Sequence, residues 1–130
     1  LDVGMGTGVL AFAAKKLGSG LTVGVDNDPV SVELAKECAE ENGISGLELS
    51  GKTLKEIGGT FDLVLANILA NTLIELAPLI VPKVKQRLVM AGVLVHQADE
   101  VKKAYVSRGL QSAGEVIEGE WIRIDMIRPG

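Results

Sequence analysis

Two carboxylates, one amide and a run of alternating glycines carry the chemistry this sequence can offer. Asp2 stands at the entrance of "LDVGMGTG", in which Gly4, Gly6 and Gly8 alternate with other residues. Asp26 closes "LTVGVD", 22 positions after Gly4, and Asn67 closes "FDLVLAN". A bare turn between a strand and a helix lets backbone approach a ligand where any Cβ would clash. The dinucleotide fingerprint is G-x-G-x-x-G, but here Val9 occupies the place of its third glycine. A carboxylate at position 2 would repel a diphosphate at close range and attract a cation.

S-adenosylmethionine meets that condition, having a sulfonium, an ammonium and no phosphate. The carboxylate at position 2 would attract such a ligand and the glycines would let the backbone lie close to it; a tight strand-to-helix connection with no ligand is the plainer reading. An acid about 20 residues beyond the turn can accept both ribose hydroxyls, which is the role expected of Asp26. A soluble strand end, or a helix cap beside Asp28, is the plainer reading. The carbonyl oxygen of Asn67 can accept a hydrogen bond from a neutral amine and aim its lone pair at a methyl group. A helix N-cap is the competing reading, and the two are compatible. In-line displacement at a sulfonium-activated methyl asks the protein mainly for alignment. A lysine, with its pKa of about 10.4 in water, must first become neutral. No general base stands beside Asn67, so the proton is expected to leave to solvent.

The elements that must position these groups follow from periodicity and punctuation. Residues 1–3 read as the end of a strand and 9–17 as a helix with Val9, Leu10, Phe12, Ala13 and Leu17 on one face. Residues 21–26 form a buried strand. Asp28 caps a helix opened by Pro29, with Val30, Leu34 and Cys38 on its buried face and Gly43 at its stop. Leu47–Ser50 is a short strand and residues 52–59 a connection. Phe61–Asn67 is a strand, continued by a helix over 68–76 that Pro78 and Pro82 break. A strand over 87–95, a helix over 97–108 and a hairpin of 115–118 with 120–128 complete the chain. The order predicts an α/β fold: a doubly wound, mostly parallel seven-stranded sheet with a C-terminal antiparallel hairpin. Ligands bind beyond the C-terminal ends of such strands, which puts residues 2–8, Asp26 and Asn67 on one rim.

Composition narrows the class further. With 130 residues and 47% apolar content, one globular domain over the whole chain is expected. The glycine turn begins within three residues of Leu1, where a strand usually takes about five. The first strand thus reads as truncated, and the chain as the C-terminal part of a longer protein. A net charge of −4 with no basic cluster argues against a nucleic-acid groove, and no apolar run is long enough for a membrane helix. A single cysteine, Cys38, fits a reducing cytoplasm and reads as a small core residue. His96, the one histidine, has no Cys or His partner nearby for a metal and reads as surface polarity. Trp121 and Tyr105 read as packing. "SGKT" lacks the G-x-x-x-x-G-K spacing and context of a phosphate loop and reads as a plain loop.

"LDVGMGTGVLAFAAKKLG", "VGVDNDPVSVELAKECAEENG", "FDLVLANILANTLIELAP" and "EGEW" together resemble the bacterial PrmA-type methyltransferases, which modify large-subunit ribosomal protein eleven. The glycine motif is shared by most class I methyltransferases; "ANILA" after a strand opened by Phe-Asp is more specific. The resemblance implies methyl transfer from S-adenosylmethionine to protein amines, lysine side chains and an N-terminal amine among them. It implies cofactor contacts at Asp2, Gly4, Gly6 and Asp26, and a role for Asn67 next to the transferred methyl. The family's separate N-terminal substrate-recognition domain has no counterpart here, and residues 50–53 lack the acid that many relatives place near the adenine. A class I methyltransferase for a small molecule or another protein, and a non-catalytic cofactor-binding module, remain the alternatives.

Overall fold

Short apolar runs become strands, and the stretches punctuated by glycine or proline become helices, throughout residues 1–130, all of which the computed structural model describes. The chain forms two compact units, Leu1–Ile57 and Gly58–Gly130.

The first unit runs β1 (Asp2–Val3), α1 (Val9–Lys16), β2 (Thr22–Val25), α2 (Pro29–Glu41) and β3 (Leu47–Ser50). Its strands are parallel, in the order β3-β2-β1, with Asp2 opposite Gly24 and Val25 opposite Ser50. All four residues of β2 are buried, as a central strand requires. Asp28 caps α2 by accepting the Val30 N–H at 3.0 Å, with Pro29 in the first turn. Met5, Val32 and Ala35 form the core, with Leu49 packed against them. Gly24 makes room for that core: a Cβ there would lie 2.6 Å from Met5 Sδ.

Both helices turn a different face inward from the one their large side chains predict. Val9, Leu10 and Leu17 are exposed, Leu17 at 88%, and α1 buries Ala11 instead. In α2 the buried row is Val32, Ala35 and Ala39; Val30 and Leu34 are exposed and Cys38 is half-buried. Small residues let these helices approach their surroundings closely. Helical spacing identifies apolar rows but does not say which row faces in.

The second unit runs β4 (Phe61–Asn67), α3 (Ala70–Ile80), β5 (Val84–Leu94), α4 (Ala98–Val106), β6 (Gln111–Glu118) and β7 (Trp121–Ile127). Strand order is β4-β5-β7-β6; β4 and β5 are parallel, while β7 is antiparallel to both its neighbours. Leu73, Ile80, Leu88, Met90, Val101, Tyr105, Ile124 and Met126 are fully buried. Tyr105 packs as expected and donates its hydroxyl to the Leu73 carbonyl at 2.8 Å. Trp121, expected to pack, is 53% exposed. The third helix passes through Pro78 and ends in a 3-10 turn, Val81–Lys83, that contains Pro82. Pro78 is exposed in the last turn, where its missing N–H withholds one i→i−4 hydrogen bond without ending the helix.

The strands total seven, a mixed α/β sheet with the antiparallel hairpin at the C-terminus. No helix is long and apolar enough to cross a membrane.

Candidate functional site: a glycine turn and two acids

The turn between β1 and α1 is built from left-handed backbone, with φ of 68°, 58° and 85° at Gly4, Gly6 and Gly8. Only glycine takes these angles without strain. Backbone bonds pin the turn at both ends: Met5 N–H donates to the Val25 carbonyl at 3.0 Å and Gly8 N–H to the Met5 carbonyl at 2.9 Å. A Cβ on Gly8 would sit 2.8 Å from Phe12 Cζ and 3.3 Å from Ala35 Cβ, so Gly8 serves packing of α1 near α2. A Cβ on Gly6 would meet nothing within 4 Å, which leaves open space beside the turn.

Asp2 is 2% exposed, and neither carboxylate oxygen has a hydrogen-bond partner. The Ala11 N–H, in the first turn of α1, favours the ionised form without closing a bond of normal geometry. Burial dominates and pushes the carboxyl up to about 6, against the neighbouring Leu1 ammonium, which favours ionisation, and with a smaller push from the Asp26 charge. An acceptor buried without a donor is costly and invites a cationic partner. The residues here therefore fit an ammonium-bearing ligand that has no phosphate.

Asp26, just past the end of β2, is half-buried and does a task its spacing did not reveal. Its Oδ2 accepts the Gly6 N–H at 2.9 Å, and its Oδ1 accepts the Asp28 N–H at 2.9 Å. It therefore clamps the glycine turn to the start of α2. One bond on each oxygen leaves lone pairs for further donors. Asp2, Gly4, Gly6 and Asp26 thus come together in the first unit, as their order in the sequence predicts.

In the second unit Asn67 is the last residue of β4, opposite Ala91 of β5, and its side chain is exposed. It is not a helix cap: the cap position of α3 is Leu69, which is extended and makes no side-chain capping bond. His96 is exposed in a 3-10 turn, Val95–Gln97, as surface polarity predicts. No group of three or more His, Cys, Asp or Glu is placed to hold a metal. One residue beside Asn67 escaped sequence reasoning. Gly92, in β5, has a φ of 80° and abuts both Asn67 and Ile68. Its signal was an isolated glycine within a strand, the mark of a bulge or close backbone approach.

The model of the PrmA family, described as ribosomal protein L11 methyltransferase, matches residues 1–129. A ribosomal protein L11 methyltransferase of Myxococcus xanthus is 65% identical over 128 residues, 98% of this chain and 44% of that protein. The chain therefore spans less than half the length of such relatives. The crystal structure of a ribosomal protein L11 methylase from Lactobacillus delbrueckii subsp. bulgaricus superposes with a TM-score of 0.94 at 32% identity, covering 99% of this chain and 69% of that one. A magnesium protoporphyrin IX methyltransferase from Synechocystis, 18% identical, shares the fold with a TM-score of 0.78 over 98% of this chain and 72% of its own.

Proposed function

The chain belongs to the PrmA family of ribosomal protein L11 methyltransferases, and from that membership we propose that it is the methyl-transferring part of an enzyme that uses S-adenosylmethionine to methylate amines of ribosomal protein L11. The observation that carries this reading within the structure is the buried, unpartnered carboxylate of Asp2 beside a left-handed glycine turn. S-adenosylmethionine supplies, when bound, a methyl group made electrophilic by its sulfonium.

The chain's own residues do the rest. Asp2 in its ionised form is the counter-charge for the cofactor's amino-acid ammonium. Gly4 and Gly6 let the main chain lie against the ligand without an intervening Cβ. Asp26 holds the turn in shape through Gly6 and offers its remaining lone pairs to the ribose hydroxyls. Asn67 accepts a hydrogen bond from the neutral acceptor amine through its carbonyl oxygen and so orients the nitrogen lone pair. An amine that stays protonated has no lone pair to give, so its proton leaves to solvent before transfer. A ribosomal protein as substrate supports a cytoplasmic setting for this activity.

Two measurements on the intact natural protein test this. Calorimetric titration should show S-adenosylhomocysteine binding in the micromolar range and no binding of NAD; the reverse preference would overturn the cofactor reading. Asn67→Ala should lower methyl transfer to L11 by a factor of about 100 or more, the scale of a lost alignment contact, with cofactor affinity nearly intact. Normal turnover in that variant would remove Asn67 from the mechanism.

A further inference from the structure

The geometry points to Gly92 as a positioning residue that holds the side-chain amide of Asn67 in place for the acceptor amine; this rests on the role just proposed for Asn67. Asn67 ends β4 opposite Ala91 of β5, one residue before Gly92. Between Met90 and Val93 the pairing of β5 with β7 shifts register, so Gly92 lies in an irregularity of the strand. Such irregularities bend a strand and re-aim what lies beside it. At a φ of 80° the residue is in the left-handed region that favours glycine.

Space, as well as angle, demands glycine here. A Cβ on Gly92 would stand 2.8 Å from the Ile68 carbonyl oxygen, 3.2 Å from its carbonyl carbon and 3.0 Å from Asn67 Oδ1. Two of these atoms are backbone and have little freedom to withdraw. The third is the oxygen to which the amine would bond. Gly92 therefore forms one wall against an otherwise exposed side chain. A methyl group added there must push the Ile68 peptide or turn the Asn67 amide, and either motion misplaces the acceptor. Gly109 supplies the natural control: its φ is 100°, yet a Cβ there would meet nothing within 4 Å.

The test compares Gly92→Ala, Gly109→Ala, Asn67→Ala and the Asn67→Ala/Gly92→Ala double variant in the intact protein. Turnover on L11, S-adenosylhomocysteine affinity and thermal melting are read for each. Gly92→Ala should lower kcat tenfold or more while cofactor affinity stays within twofold. Gly109→Ala, under the same backbone strain, should keep kcat within twofold. The double variant should be no slower than Asn67→Ala within twofold, because the glycine acts only through the asparagine. A Gly92→Ala enzyme with normal kcat, or rate losses that multiply in the double variant, would overturn the positioning role. An active Asn67→Ala enzyme would instead sink the underlying reading of Asn67. Should Gly92→Ala fail to fold, three-bond couplings in the unaltered protein decide. One χ1 rotamer at Asn67 supports the wall, and averaging over several overturns it.

Discussion

A carboxylate buried without a donor either keeps its proton or finds a cation. Asp2 is in that position, with its carboxyl pushed up to about 6 by burial. In the absence of ligand it is therefore protonated below about pH 6 and ionised above. A ligand carrying an ammonium binds the ionised form, so binding weakens as pH falls through that value. We expect S-adenosylhomocysteine affinity, measured by calorimetry, to drop by up to about tenfold per pH unit below about 6. Asp2→Asn should bind more weakly at pH 7.5 and lose that part of the pH dependence. An unchanged profile in Asp2→Asn would mean that another group sets the charge preference. Asp26 is the contrasting acid, since each of its oxygens already accepts a backbone N–H.

At the scale of elements, α1 is seated by Gly8 more than by its large apolar residues. A methyl group at Gly8 meets the Phe12 ring at 2.8 Å and must also adopt a φ of 85°. Left-handed strain costs about 1–2 kcal/mol and overpacking about 1–3 kcal/mol more. Gly8→Ala should therefore destabilise the fold by about 2–5 kcal/mol in urea unfolding. Gly18→Ala, at a φ of 101° with nothing within 4 Å, should lose only the strain of about 1–2 kcal/mol. Equal losses in the two variants would show that the Phe12 contact relaxes freely. In the second unit, α3 starts at Ala70 and not at residue 68: Ile68 lies in a bend beside Gly92, and Leu69 is extended. That delay frees Asn67 from capping duty.

For the molecule as a whole, Asp2 also links folding to pH. Its carboxyl titrates near 3.8 when exposed and near 6 in the fold. Between these values the folded chain holds a proton that the unfolded chain has lost, so this residue's contribution falls as pH rises from about 4 to 6. Denaturant unfolding should show Asp2→Asn gaining stability relative to the unaltered chain by about 2–3 kcal/mol across that window. A constant difference between the two proteins would contradict the burial of this carboxylate. The order of strands and helices, the parallel sheet and its closing hairpin were all legible in the sequence. So were the glycine turn and its neighbouring acids. These features depend on local pattern: strand periodicity, capping at Asp28 and Pro29, and the backbone freedom of closely spaced glycines. The tertiary structure alone decided which rows of α1 and α2 face inward, that Trp121 stays exposed, and that Asp26 clamps Gly6. It alone set Gly92 against Asn67. Each of these depends on groups distant in the chain meeting within a few ångströms, and no period or spacing in the sequence encodes such a distance.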